Sequence, residues 1–381
     1  MLNRSLYSLT AVALTLILSA CANLKLRSSN KSDAPHYKVI AYVMGRADFN
    51  RINAQKLTHI NYAFGQVNTN GEAFIRSNTP SHFAQLQALK ARNPNLKVIL
   101  SIGGWGADNF SDAALTEASR QKFARSCVSL LKTYALDGID LDWEYPGQPG
   151  PGIKFRFEDK QNFTALLREV HAQLDELSDD RKRTGDDRYT LTIASAGGKY
   201  FEHTEMDKAQ QYVDWINIMT YDFYGVGSGP GHHAGLFQSK LYPTEKVSRR
   251  TTESDVEDHL RSGIPPSKLV VGAAFYGKSW TNVTLQPSLT GGKYQRSYSY
   301  AVLKRDVLPD KKFESRWDPE AHASYLWNPG AQTFISFESP DALKAKCDYV
   351  KQHKLGGVMF WEYSEDPDEI LLSTLANELN R

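Results

Sequence analysis

Short apolar runs alternate with amphipathic segments along most of the chain. Runs rich in Val, Ile, Tyr and Phe, each typical of a buried strand, occupy 39–44, 57–67, 98–102, 138–145, 191–196, 215–221, 269–276 and 357–361. Between them, apolar residues recur at helical spacing in segments such as 81–92, 116–134, 159–177 and 254–262. The pattern predicts eight strand and helix units, which is the number that closes a TIM (β/α)8 barrel.

The main alternative within the α/β class is a doubly wound sheet. That fold requires a Gly-rich phosphate turn after the first strand, and residues 44–47 do not supply one. One interval, between the seventh strand and the next helix, is far longer than a βα loop requires. Its β-prone stretches at 294–300 and 332–337 flank a helical piece at 299–307. We therefore expect a small α+β insertion at 281–337, between strand 7 and helix 7 of the barrel.

The N-terminus indicates export. Arg4 precedes an apolar run at 6–20, shorter than the roughly 20 helical residues that span a bilayer. The run ends in Leu18-Ser19-Ala20-Cys21, which resembles the lipobox of bacterial lipoproteins; an ordinary secretory peptide with an incidental cysteine is the alternative. Because Ala22 rather than Asp follows the cysteine, the resemblance to Gram-negative lipoproteins suggests the outer membrane, on a side that the sequence does not specify. The predicted divisions are a signal peptide at 1–20, a lipid-bearing Cys21, a polar tether at 21–35 and a catalytic barrel at 36–381.

Composition narrows the class of protein. The 381 residues carry 45 Lys and Arg against 43 Asp and Glu, and a net charge of +2 gives no electrostatic attraction for nucleic acid. A hydrophobic share of 41% with 23% charged residues is typical of a globular chain rather than a disordered one. Cys127 and Cys347 fall among apolar residues at helical spacing, so we expect both to be core residues with no disulfide between them.

The fourth predicted strand carries a row of acids. Residues 137–146 are DGIDLDWEYP, and because side chains alternate along a strand, Asp140, Asp142 and Glu144 share one face. The apolar residues between them suit the interface of barrel and helices, so the acids are predicted to point into the barrel lumen. Like charges at close range cannot all ionise, so one or two of these groups should be protonated at neutral pH, as a general acid must be.

The same geometry restricts the reaction. Asp142 and Glu144 leave one strand about 6.7 Å apart and point the same way, so they cannot flank a sugar's anomeric carbon from opposite faces. A mechanism in which Glu144 is the one acid and the substrate supplies the nucleophile fits this geometry better than a mechanism with two carboxylates. The acids could instead bind Mg²⁺, although such ligands usually come from several strands. Asp137 has the opposite parity and either caps the strand or acts indirectly. His232-His233 lies in a Gly-rich loop without ligand spacing, so no metal site is expected there.

Several motifs together resemble a known family. Asp137-x-x-Asp140-x-Asp142-x-Glu144 resembles the signature of the chitinase-type glycoside hydrolases of family 18, and Ser101-Ile102-Gly103-Gly104 resembles their second motif. Met219-Thr220-Tyr221-Asp222, Phe275-Tyr276-Gly277-Lys278 and Met359-Phe360-Trp361 extend the likeness, which runs from about residue 36 to about residue 373. Lys278 departs from the family pattern, which often has Arg there, and this puts one substrate contact in doubt.

The resemblance implies a catalytic set. Glu144 would protonate the glycosidic oxygen while the substrate's N-acetyl carbonyl attacks C1, with retention of configuration. Asp142 would hold the acetamido N–H, Asp140 would share a proton with Asp142, and Tyr221 would donate to the acetamido carbonyl. The expected substrate-binding residues are Asp222, Met219, Trp361, Trp105, Tyr145, Tyr42, Ser101, Phe64 and Tyr276. Several of these could instead be ordinary core, loop or barrel-interior residues.

The function expected from the resemblance is retaining cleavage of β-1,4 linkages in N-acetylglucosamine polymers, meaning chitin or chitooligosaccharides. The alternatives are an endo-β-N-acetylglucosaminidase acting on N-glycans and a non-catalytic chitinase-like lectin, which would lack the acid that Glu144 supplies. No cofactor is expected. The expected partners are a glycan containing N-acetylglucosamine and, through a lipid on Cys21, a membrane; nucleic acid is not one.

Overall fold

Eight parallel strands close into a barrel in the computed structural model, which describes residues 37–242, 250–286 and 288–380. The first strand pairs with both the second and the last, which completes the ring. The barrel strands are β1 (Lys38–Met44), β2 (His59–Val67), β4 (Lys97–Gly103), β5 (Gly138–Asp142), β6 (Thr190–Ser195), β7 (Trp215–Ile218), β8 (Leu269–Ala274) and β14 (Gly357–Trp361). A two-residue strand, β3 (Ala73–Phe74), adds to β2 in antiparallel fashion. The TIM barrel is thus confirmed, and the expected signal peptide, tether and Cys21 lie outside the described residues.

Helices follow most of the strands. They are α1 (Thr79–Leu89), α2 (Phe110–Leu115), α3 (Glu117–Tyr134), α4 (Asp159–Asp180), α5 (Met206–Ala209), α6 (Thr252–Arg261), α7 (Tyr300–Val302), α8 (Pro340–Gln352) and α9 (Ile370–Leu379). Local sequence sets their starts: Thr116 and Ser119 form a reciprocal cap on α3, and Ser339 caps α8 ahead of Pro340. Within the described ranges, no helix is both long enough and apolar enough to cross a membrane.

The apolar core has two parts in the barrel. Most of it lies between the strands and the helices, where the outward side chains of the strands pack. A smaller cluster, including Ile40, Ile99, Val270 and Met359, fills the lumen. Because parallel barrel strands are covered on both faces, β4 and β8 are buried along almost their whole length. Cys127 and Cys347 are buried free thiols on α3 and α8.

A second sheet of five antiparallel strands follows β8. In spatial order its strands are β10 (Thr290–Ser299), β9 (Tyr276–Thr284), β13 (Thr333–Phe337), β12 (Ala323–Asn328) and β11 (Glu314–Asp318). Trp280, Tyr325 and Phe334 form its own apolar cluster. The sheet begins at Tyr276, earlier than the expected start of the insertion at 281, because β8 ends at Ala274 and the chain re-enters extended structure almost at once.

Candidate active site

The acids of β5 line the barrel lumen, as the alternation predicts. Asp140 is fully buried and Asp142 is 4% exposed. The intervening apolar side chains belong to the core between strands and helices, where Trp143 stacks on Phe110 of α2 with ring centroids 5.3 Å apart. Glu144 lies two residues beyond the end of the strand and is half-buried. The row therefore rises from the barrel interior to its C-terminal face, where barrel enzymes place their chemistry.

Asp140 is the most tightly held of the three acids. Its carboxylate accepts four hydrogen bonds from four different strands. The donors are Tyr42 Oη (2.9 Å), Ser101 Oγ (2.7 Å), Thr192 Oγ1 (2.6 Å) and Asn217 Nδ2 (3.2 Å). Burial raises the pKa of Asp140, and these hydrogen bonds act in the opposite direction. The result is a carboxyl group fixed in one orientation directly below Asp142.

Asp142 is electrostatically destabilised. Burial, together with the charges of Glu144 and Asp140, raises the pKa of Asp142 well above its ordinary value. Its Oδ1 atom is buried and has no hydrogen-bond partner among the residues that the structure describes. An unpaired buried carboxyl oxygen is costly, so a hydrogen-bond donor brought by a ligand would be strongly favoured at this point.

Glu144 has the titration behaviour of a general acid. Burial raises the pKa of Glu144 to about 7; a hydrogen bond with Tyr145 opposes this shift and the negative charge of Asp222 adds to it. A carboxylic acid with this pKa is half protonated at neutral pH, which suits a group that must donate a proton and then take one back.

Two glycines let the neighbouring strand approach this row. Gly103 has φ +125°, and a Cβ atom on it would lie 2.0 Å from the backbone oxygen of Asp142. The next residue, Gly104, donates its N–H to that same oxygen at 2.9 Å, and a Cβ there would meet the Phe64 ring at 2.6 Å. Only glycine fits both positions, which gives the Ser101–Gly104 motif a steric explanation.

The opposite wall holds Asp222. Its Oδ1 accepts a hydrogen bond from Tyr276 Oη (2.6 Å) and lies 2.6 Å from Lys278 Nζ and 3.7 Å from His233 Nδ1. Burial tends to raise the pKa of Asp222, but the adjoining His233 imidazole and the charge of Lys278 outweigh it and hold the pKa well below its usual range. Lys278 therefore neutralises this carboxylate even though it lacks the fork of an arginine.

Tyr221 precedes Asp222 and faces the acids from across the lumen. Burial and the negative charge of Asp142 raise the pKa of Tyr221 well above its ordinary value, so the phenol keeps its proton. Its hydroxyl contacts the Met359 sulfur at 4.0 Å, a weak interaction, which leaves the proton available to a stronger acceptor.

Aromatic rings complete the cleft. Trp361, at the end of β14, stacks on Phe64 with ring centroids 5.5 Å apart, and Tyr42 lies 5.9 Å away on another side. Met219 packs against the same lumen cluster. The Trp105 side chain is 67% exposed, and its ring lies 6.2 Å from that of Tyr145. The first pair thus adjoins Tyr42, which binds Asp140, and the second includes Tyr145, which follows Glu144 in the chain.

Three residues of this site were not anticipated from the sequence. Thr192 and Asn217 donate to Asp140, and His233 contacts Asp222 where only a loop was expected. Thr192 and Asn217 could be recognised only once the register between strands was known, which places Thr192 beside Asp140. His233 could not be found that way, because it reaches the site from a loop.

The comparisons agree with this architecture. The chain belongs to family 18 of the glycosyl hydrolases, whose family model matches residues 37–366. Chitinase A1 of Niallia circulans is 33% identical over 97% of the chain and 62% of its own length. Chitinase ChiW from a Paenibacillus species superposes with a TM-score of 0.83 at 37% identity, covering 91% of this chain and 33% of that one. A family 18 N-acetylglucosaminidase from Paenibacillus barengoltzii gives a TM-score of 0.79 at 38% identity, covering 90% of this chain and 100% of that one. The chain thus spans less than two thirds of the first two proteins.

Proposed function

We propose that the protein is a retaining glycoside hydrolase that cleaves β-1,4 linkages in N-acetylglucosamine polymers by substrate-assisted catalysis. The observation that carries this proposal is the row of Asp140, Asp142 and Glu144, in which the lowest acid is held by four donors and the uppermost has a pKa near 7. The family and its chitinase relatives support the substrate class.

In the proposed first step, Glu144 transfers its proton to the glycosidic oxygen as the bond from that oxygen to C1 breaks. The acetamido carbonyl oxygen of the same sugar forms a new bond to C1, which gives an oxazolinium ion and a neutral leaving sugar. In the second step, water attacks C1 from the face that the leaving group vacated, and the Glu144 carboxylate takes a proton from that water. The bond from C1 to the acetamido oxygen breaks as the new bond forms, which regenerates the neutral acetamido group. Two inversions at C1 give net retention.

Two residues can form hydrogen bonds with the acetamido group that acts as the nucleophile. The unpaired Oδ1 of Asp142 can accept the acetamido N–H. With its proton shared with Asp140, Asp142 would stabilise the positive charge that develops on the oxazolinium. The Tyr221 hydroxyl can donate to the acetamido oxygen and aim it at C1. The stacked Trp361 ring can support the C–H face of the reacting sugar.

A substrate without its N-acetyl group tests the mechanism. We expect no measurable cleavage of the glucosamine polymer, because the internal nucleophile is absent, and efficient cleavage with glucosamine at the reacting subsite would refute the mechanism. Glu144→Gln should retain oligosaccharide binding, as a lectin would, but lose turnover. Excess chelator should leave the rate unchanged, whereas loss of activity that Mg²⁺ restores would favour the metal alternative.

The product profile decides between related activities. The full-length match to an N-acetylglucosaminidase makes exo action a specific second candidate. Soluble N-acetylglucosamine oligomers of defined length should give disaccharides and longer products if the enzyme acts as a chitinase, and only monosaccharide if it acts from the chain end. Release of glycans from a high-mannose glycoprotein would support the endo-β-N-acetylglucosaminidase alternative.

We also propose that the protein is exported and lipidated at Cys21, because Leu18-Ser19-Ala20-Cys21 resembles a lipobox that ends a signal peptide. Metabolic labelling with a radioactive fatty acid should mark the wild-type protein and leave Cys21→Ala unlabelled. Membrane fractionation would test the outer membrane, and protease added to intact cells would distinguish its two sides. Equal labelling of both proteins would refute lipidation.

A further inference from the structure

The side chain of Thr220 continues the pairing of β7 with β8 where the backbone pairing stops. The register between these strands ends with Ile218 opposite Val271. Beyond that point, the fully buried Thr220 hydroxyl donates to the Gly272 carbonyl oxygen at 2.7 Å and accepts the Gly272 N–H at 2.9 Å. One side chain therefore binds both backbone polar groups of Gly272, immediately before the chain reaches Tyr221.

A buried ion pair holds the same carbonyl group. Lys346 of α8 donates to the Gly272 carbonyl oxygen at 3.3 Å and forms an ion pair with Glu338, which follows β13. Both charged side chains are 1% exposed. Burial raises the pKa of Glu338, while the charge of Lys346 and a hydrogen bond from the Ala274 backbone oppose that shift. Because removing charges from water is costly, a buried pair holds both side chains in the geometry in which they meet.

The Tyr221 ring packs directly against Gly272. A Cβ atom on Gly272 would lie 2.9 Å from Tyr221 Cε1 and 3.0 Å from the terminal methyl carbon of Met359. The ring therefore rests on the stretch of backbone that Thr220 and Lys346 hold. Because protein interiors are close-packed, a shift of this backbone would move the phenol with it. We call Thr220, Lys346 and its partner Glu338 the Gly272 clamp.

We propose that the Gly272 clamp is a set of positioning residues that hold the Tyr221 hydroxyl where it meets the acetamido oxygen of the substrate. The proposal rests on the proposed function, in which Tyr221 aims that oxygen at C1. Replacing a buried ion pair with apolar residues is often neutral for stability, so stability alone does not explain the pair. A displacement of about 1 Å near the reacting atoms can cost roughly a hundredfold in rate, so firm placement of Tyr221 directly affects turnover.

Thr220→Val tests the Gly272 clamp, because valine has nearly the shape of threonine and lacks the hydroxyl. On a soluble N-acetylglucosamine oligomer, we expect kcat to fall about tenfold while KM stays within about threefold of wild type, since Tyr221 acts on the reacting group. Thr220→Ser keeps the hydroxyl and should restore kcat to within about threefold of wild type. An unchanged kcat in Thr220→Val would overturn the proposal, as would an equal loss in Thr220→Ser.

The ion pair provides a second test, which stands even if Thr220→Val does not fold. The double variant K346M/E338Q removes both charges, so neither is left buried alone, and we expect kcat to fall about fivefold with little change in KM. The matched control is K56M/E369Q, at a partly buried ion pair beside the start of α9, which should stay within about twofold of wild type. No loss in K346M/E338Q, or an equal loss in both double variants, would overturn the proposal.

A double-mutant cycle separates positioning from a general structural role. Tyr221→Phe removes the hydroxyl, so adding Thr220→Val should then lower kcat by less than about twofold further, whereas independent effects would multiply. A full tenfold further loss in the Tyr221→Phe background, as independent action on the order of the single effect requires, would overturn the proposal. If Tyr221→Phe alone keeps the wild-type kcat, the role of Tyr221 in the proposed function fails. If Tyr221→Phe loses kcat but Thr220→Val does not, the Gly272 clamp alone fails.

Discussion

Replacing Glu144 with Gln should change the stability of the protein in a pH-dependent way as well as its activity. Burial raises the pKa of Glu144 from its ordinary value of 4.5 to about 7. The folded state therefore binds the proton more tightly than the unfolded chain does. The stabilisation from this protonated carboxyl is fully present below pH 4.5 and is lost as the pH rises from 4.5 through 7. Gln has the shape of the protonated acid but does not ionise, so the variant does not lose this stabilisation as the pH rises.

The size of the effect follows from the shift. A difference of roughly 2.5 pKa units, at about 1.36 kcal/mol each, amounts to about 3 kcal/mol. The free energy of unfolding of Glu144→Gln, minus that of wild type, should therefore rise by about 3 kcal/mol between pH 4 and pH 8. Loss of the Glu144 charge also removes one cause of the raised pKa of Asp142, which adds to the effect in the same direction.

Thermal or urea unfolding at pH 4, 6 and 8 measures this difference, with both proteins at the same ionic strength. Glu176→Gln is the control, because it makes the same change of side chain at an exposed position on α4. Turnover by Glu144→Gln should be absent at every pH. A stability difference that stays flat across the range, or a variant that keeps its turnover, would refute the assignment of Glu144 as a buried, protonated acid.

Three further outcomes follow from the site. The kcat/KM of wild type should fall about tenfold per pH unit above pH 7, because the proposed mechanism requires a protonated Glu144, and a flat profile to pH 9 would contradict this. Lys278→Met should lower kcat/KM about tenfold by leaving Asp222 without its cation, while Lys278→Arg should stay close to wild type; equal rates in all three would show that the pair is dispensable. Gly103→Ala should cost more than about 3 kcal/mol of stability or prevent folding, whereas Gly152→Ala, at φ +72° with open space around it, should cost about 1 kcal/mol; similar losses would contradict the close approach of β4 to β5.

The barrel and the acid row could be predicted because both rest on short periods in the sequence. Eight buried runs and a strict alternation at Asp140, Asp142 and Glu144 leave little freedom in where these side chains point. The donors to Asp140 were harder to find, since Thr192 and Asn217 are ordinary strand residues until the register between strands is known. Register is a long-range property that local pattern does not determine.

The second sheet shows where local pattern fails. Strands β11 and β12 were not predicted, because charged and small residues interrupt their alternation and their order in the sheet is set by pairing with distant strands. His233 and its contact with Asp222 depend on a long loop between β7 and α6. The fully buried His233 ring lies against Tyr276, which comes from the second sheet. No short period in the sequence links these residues.

The early start of the second sheet has a consequence for engineering. Tyr276 and Lys278, which hold Asp222, are the first residues of β9, so the wall of the cleft and the five-stranded sheet share one continuous strand. Deleting the five-stranded sheet, to obtain a minimal barrel, would therefore also remove the partners of Asp222. We call this sheet the module. Transplanting the module into a related barrel would conversely carry the tyrosine and lysine with it, so the two parts should be exchanged as one piece.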